Sequence, residues 1–99
     1  MPIGLGFKNN LKIPLELYEK CEQLEVQPSQ FNSIIEAFRT EDIVKKYTGL
    51  VGIRKLLSFQ TDPPIQEMID IGIVPELIQL LKDSPAEFQY EALWCLTNI

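Results

Sequence analysis

A tryptophan and an asparagine stand four residues apart near the end of the chain, at positions 94 and 98. On a helix, Trp94 and Asn98 are neighbours on one surface, and Glu87 and Tyr90 fall within roughly 40° of the tryptophan. An indole face attracts an ammonium group and flanks an aliphatic stem, while a carboxamide both donates to and accepts from a peptide backbone. The pattern therefore predicts a platform for an extended, lysine-bearing peptide, with added negative potential from Glu87 and Glu91.

Packing is the alternative interpretation of the same tryptophan. In a layered helical array each helix buries more than one side, so helical periodicity alone favours Trp94 lying against a neighbouring helix. We interpret Tyr90 as a packing residue for the same reason. The core face of this helix is predicted to lie on the other side, within an arc of roughly 100° that holds Phe88, Ala92, Cys95, Leu96 and Ile99.

Catalysis is not indicated. The chain has no histidine, and therefore lacks the commonest general base and metal ligand. The two cysteines, Cys21 and Cys95, form no C-x-x-C pair, and Cys95 is interpreted as a small core hydrophobe. Glu41 and Asp42 are explained by the favourable dipole in a helix's first turn. We expect no enzyme activity, no cofactor and no metal ion.

Composition limits the classes of partner. The chain has 99 residues, 45% of them hydrophobic, which suits one small domain. Its formal net charge of -5 argues against nucleic acid and permits a cationic partner. Residues 1–10 do not form a signal peptide, and no stretch approaches the roughly 20 apolar residues of a membrane helix. With so few cysteines, we expect an intracellular protein of a reducing compartment.

The elements that must position Trp94 and Asn98 are all predicted to be helices. Residues 1–35 are interpreted as a weakly organised N-terminal segment, with one short helix from Leu15 to Leu24. Thr40 is predicted to cap a long helix, in which Gly49 and Gly52 allow close approach of a neighbour. The helix's apolar stripe consists of Ile43, Val44, Tyr47, Leu50, Val51 and Leu57.

Helix-capping and helix-ending residues divide the second half of the chain into three further predicted helices. Asp62 and Pro63 are predicted to open a short helix that Gly72 ends in the left-handed conformation, and Pro75 opens the next. Residues 84–87, Ser-Pro-Ala-Glu, form a capping box for a last helix that continues at least to Ile99. A short helix followed by two longer ones over about 40 residues is the period of HEAT and armadillo repeats.

Several ordered runs resemble the first armadillo repeats of the importin alpha (karyopherin alpha) family. The resemblance covers residues 36–99, the end of one repeat plus one repeat, and implies an all-α, armadillo-type fold. The runs are Arg54-Lys55-Leu56-Leu57-Ser58, Pro63-Pro64-Ile65, Gly72-Ile73-Val74-Pro75 and Phe88-Gln89-Tyr90-Glu91-Ala92-Leu93-Trp94-Cys95-Leu96-Thr97-Asn98-Ile99.

The resemblance implies a nuclear import adaptor, active in cytoplasm and nucleus, that binds Lys/Arg-rich nuclear localisation signal peptides of cargo proteins. By the same resemblance, Trp94 and Asn98 form the peptide-binding rung, and Leu57 and Ser58 border the peptide. Phe59 stands where the family often has a polar or basic residue.

Two departures from the family pattern leave alternatives open. Importin beta is a partner of the family through an Arg/Lys-rich segment, but residues 1–35 hold only Lys8, Lys12 and Lys20, so that segment is expected to be absent. Further repeats are also expected to be missing, although solenoids normally need about three repeats for stability. A truncated structural or interaction fragment without independent cargo binding is therefore the alternative, with marginal stability or self-association.

Overall fold

The computed structural model describes residues 13–99, and within that range the chain is helical and contains no strand. The all-α prediction is confirmed. The helices are α1 (Leu15–Gln23), α2 (Phe31–Phe38), α3 (Ile43–Leu57), α4 (Ile65–Asp70), α5 (Ile73–Lys82) and α6 (Ala86–Thr97), with a 3-10 turn at Pro28–Gln30. The predicted N-terminal segment, residues 1–35, lies partly outside the described residues, because residues 1–12, with Lys8 and Lys12, precede them. Its described part contains α1, the 3-10 turn and the first residues of α2.

Helix α3 is the centre of the fold. It packs against α2 on one side and α6 on the other, and α6 in turn packs against α5. Its Tyr47 is fully buried and meets Phe88 of α6 edge to face, with ring centroids 5.4 Å apart. Such pairs add about 0.5–1.5 kcal/mol beyond the area that they bury. Helix α6, which carries Trp94 and Asn98, is therefore fixed directly to α3.

Gly49 lets α2 approach the backbone of α3, as its position in the sequence suggested. A Cβ at Gly49 would lie 2.8 Å from the Phe38 Cα and 2.9 Å from the Ile34 carbonyl oxygen. The three atoms nearest to a Cβ at Gly52 all belong to the side chain of Ile34. The two helices therefore cross at Gly49 with no room for a side chain between them.

Some predicted helix boundaries need correction. Asp42, not Thr40, caps α3, since its carboxylate accepts from the backbone N–H groups of Val44 and Lys45 at 2.9 and 3.1 Å. Asp62 does not cap α4; it has a φ of +49°, and the helix begins at Ile65. Gly72 does adopt the predicted left-handed conformation, with a φ of +79°.

The two ends of α6 also differ from the prediction. Pro85 occupies the N-cap position, and no side chain caps the helix there. Glu87 does not complete a capping box, because its buried carboxylate accepts from the backbone N–H of Ile13 at 3.0 Å. The helix ends at Thr97, with Asn98 as its C-cap, instead of running to Ile99.

Helix α1 docks on α3 through its carboxyl end. The ammonium of Lys55 donates to the backbone carbonyls of Cys21, Glu22 and Leu24 at 2.7, 2.9 and 2.6 Å. A cation at this position satisfies carbonyls that have no partner within the helix and complements its dipole. Cys21 is buried, and its thiol lies 3.9 Å from the Thr48 hydroxyl.

We expect Gly49→Ala to destabilise the fold by about 1–3 kcal/mol, the usual cost of forcing an extra methyl group into a packed site. Alanine normally stabilises a helix by about 1 kcal/mol over glycine. A loss of stability in Gly49→Ala would therefore show that the close contact between α2 and α3 outweighs this gain. Urea unfolding followed by circular dichroism measures it. Gly52→Ala is the matched control and should cost less, because the Ile34 side chain can move. An unchanged or raised midpoint for Gly49→Ala would contradict the crossing.

We expect Lys55→Met to loosen α1 while the rest of the core stays closed. Loss of the ammonium removes charged hydrogen bonds worth about 1.5–3 kcal/mol, so opening of α1 should become at least about tenfold more frequent. Labelling of the buried Cys21 by a thiol reagent measures this opening, with Cys95 of α6 as the internal control. Equal acceleration at both thiols would indicate global unfolding and contradict separate docking.

Candidate functional site

Trp94 is partly exposed, with 38% of its surface open to solvent. The Arg54 guanidinium lies over the indole with its carbon 4.2 Å from the ring centroid, which is a cation–π contact. The Tyr90 ring meets the indole edge to face at 5.7 Å. The tryptophan therefore packs against its own chain and also remains partly open to solvent.

Arg54 joins three helices at this point. Its Nε donates to Oε1 of Glu91 on α6 at 2.6 Å, and its Nη2 donates to Oε1 of Glu22 on α1 at 2.9 Å. The side chains of Arg54 and Glu91 are only 8% and 1% exposed, whereas that of Glu22 is 55% exposed. A buried charge of this kind is tolerated only when it is paired and hydrogen-bonded.

The charges of this cluster act on one another. Burial works to lower the pKa of Arg54, but the attraction of Glu91 and Glu22 outweighs it, and the pKa is raised. Burial raises the pKa of Glu91, and the Arg54 cation offsets part of that rise. The negative potential expected from Glu87 and Glu91 is therefore not offered to a ligand, because Glu91 is paired with Arg54 and Glu87 is turned towards Ile13.

Asn98 and Ser58 bring the ends of α6 and α3 together. The Asn98 carboxamide donates to the Ser58 hydroxyl at 3.4 Å, and that hydroxyl donates to the Arg54 carbonyl at 2.8 Å. Ser58 is exposed. Leu57 is different, since only 3% of it is exposed and its side chain belongs to the core. Three of the four sequence-predicted residues, Trp94, Asn98 and Ser58, thus share one surface, and Leu57 can border it only through its backbone.

Arg54 and Glu22 were missed as site residues. Arg54 lies 37 positions before Glu91 and 32 after Glu22, so no local spacing relates them. The available signals were weak ones: a cation within a helix otherwise rich in core residues, and a carboxylate in an N-terminal segment.

The cysteines offer no nucleophile. Cys95 is fully buried, and burial raises the pKa of its thiol to about 12. A thiol with this pKa stays protonated at neutral pH, and the thiolate is the reactive form. Residues 13–99 contain no group of histidine, cysteine and carboxylate side chains arranged to hold a metal ion. None of the helices in that range has the length and apolar character needed to cross a membrane.

The chain is similar in sequence to known armadillo-repeat proteins. A family model described as Armadillo/beta-catenin-like repeat matches residues 61–99. The chain is 35% identical to the probable importin subunit alpha-A of Dictyostelium discoideum over 88% of its length. It is 37% identical to importin subunit alpha-1 of Schizosaccharomyces pombe over 88%, and 38% identical to importin subunit alpha-3 of Caenorhabditis elegans over 97%. No solved structure matches the chain.

The alignments cover most of this chain but only a small part of each relative. The chain spans only 17%, 16% and 19% of the length of these three relatives. Residues 36–99 are 64 of the 99 residues, so an alignment over 88% of the chain includes part of the segment before residue 36. The similarity is therefore wider than the sequence motifs indicated.

We expect Arg54→Met to destabilise the fold by about 3–5 kcal/mol near neutral pH, because it leaves the Glu91 carboxylate buried without its cation. Burial places the folded-state pKa of Glu91 above its unfolded value, so this penalty is absent when both states are protonated. The loss of stability should accordingly grow as the pH rises above about 4, the range where an unfolded glutamate ionises. Urea unfolding at a series of pH values measures it.

Arg54→Met combined with Glu91→Leu is the control for that measurement. Removing both charges should recover much of the stability that Arg54→Met loses at neutral pH. The stability lost relative to the wild type should then no longer grow with pH. A single variant that loses the same free energy at every pH would show that the pairing with Glu91 is not the cause.

Proposed function

Because the chain belongs to the importin alpha family of armadillo-repeat proteins, we propose that it binds Lys/Arg-rich nuclear localisation peptides at Trp94 and Asn98. The observation that carries the proposal is Trp94, a tryptophan that remains 38% exposed at the surface, one helical turn before an asparagine. Cargo proteins bearing such peptides are the proposed partners, and the cytoplasm and nucleus are the proposed locations.

Arg54 determines how a ligand can use the indole. Since the guanidinium already covers one region of the ring, a ligand side chain must lie on the part that remains open. A lysine suits this surface, because its aliphatic stem packs on the ring and its ammonium stays near water. A cation–π contact at an exposed site contributes about 0.5–1 kcal/mol, so one tryptophan supports weak binding only.

Asn98 is proposed to bind the peptide backbone. Among residues 13–99, its carboxamide makes one side-chain hydrogen bond, the 3.4 Å contact with Ser58. An amide group has two N–H donors and an acceptor oxygen, so capacity remains for a strand passing beside Trp94. Ser58 lies at the same edge, and the backbone of Leu57 precedes it. Together these groups would bind main chain beside the ring that receives the side chain.

A structural fragment without independent cargo binding is the second candidate. The observation that favours it is the Arg54 contact itself, because a ring held by its own chain has less surface for a ligand. In that case Trp94 serves to bind α6 to Arg54, and importin beta or cargo would require parts of a longer protein.

We expect a fluorescently labelled, lysine-rich peptide to bind with a Kd of about 0.1–1 mM, that is, a free energy near −4 to −5.5 kcal/mol. Fluorescence anisotropy of the peptide measures the Kd without depending on the tryptophan. Trp94→Ala should weaken binding about two- to fivefold through loss of the ring contact, and Asn98→Ala should weaken it less.

Leu93→Ala is the matched control, since Leu93 is an exposed apolar residue on the same helix and should leave the Kd unchanged. A peptide with glutamine in place of lysine should not bind. Equal affinity of wild type and Trp94→Ala would remove the proposed site, and no binding by wild type would favour the structural fragment.

A further inference from the structure

Glu22 of the N-terminal helix α1 is an exposed carboxylate that is linked to the Trp94 indole through Arg54. Glu22 shares the Arg54 guanidinium with Trp94, since one face of that group lies on the ring and one of its nitrogens donates to Glu22. Glu91 is attached to the same group but is buried. A ligand ammonium beside Trp94 would therefore meet Glu22 and not Glu91.

Glu22 is the carboxylate of the cluster that a further cation can reach. Arg54 carries one positive charge and is bonded to two carboxylates, Glu22 and Glu91. The next cation along α3, Lys55, is already bonded to three backbone carbonyls at the end of α1. Of the two carboxylates bonded to Arg54, only Glu22 is exposed, with 55% of its side chain open to solvent against 1% for Glu91, so it is the one that can accept from a further cation.

The position of Glu22 is fixed by its neighbours. The residue before it, Cys21, is buried against α3, and the carbonyls of Cys21, Glu22 and Leu24 all accept from Lys55. A carboxylate on a docked backbone loses little further freedom when it pairs with a ligand, which limits the entropic cost of binding. An acidic residue on a free N-terminal tail would not have this advantage.

Resting on the peptide-binding function proposed above, we propose that Glu22 is a specificity-determining residue of the Trp94 site. Its carboxylate pairs with the ammonium of the lysine whose stem lies on the indole. Helix α1 is then one wall of the peptide site, and the choice of lysine over a neutral side chain of similar length depends on a residue outside α3 and α6.

The test compares Glu22→Gln with Glu19→Gln, which makes the same change of charge at another exposed position of α1. Two peptides are used, one with lysine at the central position and one with norleucine there, and Kd is measured by anisotropy. Glu22→Gln should weaken the lysine peptide by about fivefold, the upper range for a partly exposed ion pair. It should leave the norleucine peptide unchanged. Glu19→Gln should change neither Kd by more than about twofold.

A structural role for Glu22 gives a different pattern. If Glu22→Gln released α1, both peptides would weaken together and Cys21 would be labelled faster, and the proposal would be overturned. It would also be overturned if Glu19→Gln matched Glu22→Gln, since that result indicates attraction by net charge alone.

The same measurements separate this inference from the proposed function. Loss of binding in Trp94→Ala with no effect of Glu22→Gln would remove the role of Glu22 and keep the peptide site. Equal binding by wild type and Trp94→Ala would remove both.

Discussion

One buried guanidinium connects three helices and the tryptophan of the candidate site. Arg54 lies in the central helix α3, pairs with Glu91 of α6 and Glu22 of α1, and covers part of the Trp94 ring. Because a buried cation is stable only when its partners are in place, the orientation of α6, the docking of α1 and the exposure of the indole depend on one another. The tryptophan is therefore a structural residue and a candidate ligand platform at once.

The sequence predicted local features better than distant ones. The turn between α4 and α5 was anticipated because glycine readily adopts the left-handed conformation that ends a helix, and Gly72 has a φ of +79°. The capping box at α6 failed because Glu87 has a tertiary partner, the Ile13 N–H, that local sequence cannot reveal. The N-cap of α3 was predicted at Thr40, two residues before Asp42, because threonine and aspartate are both good capping residues.

The candidate site shows the same division. The spacing of Trp94 and Asn98 on one helix was sufficient to place them on one surface, and the family resemblance added Ser58. The pairing of Arg54 with Glu91 spans 37 residues, and nothing in a helical period encodes it. As a result the sequence assigned Glu91 to the ligand, whereas in the structure Glu91 is buried, and the exposed carboxylate bonded to Arg54 is Glu22 of α1.

The contact at Gly49 has a consequence for how this protein can diverge. Because the neighbouring atoms are the Phe38 Cα and the Ile34 carbonyl oxygen, main chain meets main chain, and these atoms are common to every amino acid. A substitution at position 34 or 38 therefore leaves these atoms in place and opens no space for a side chain at position 49. Glycine at position 49 is thus required by the backbone of α2 and not by the identity of any one neighbouring side chain.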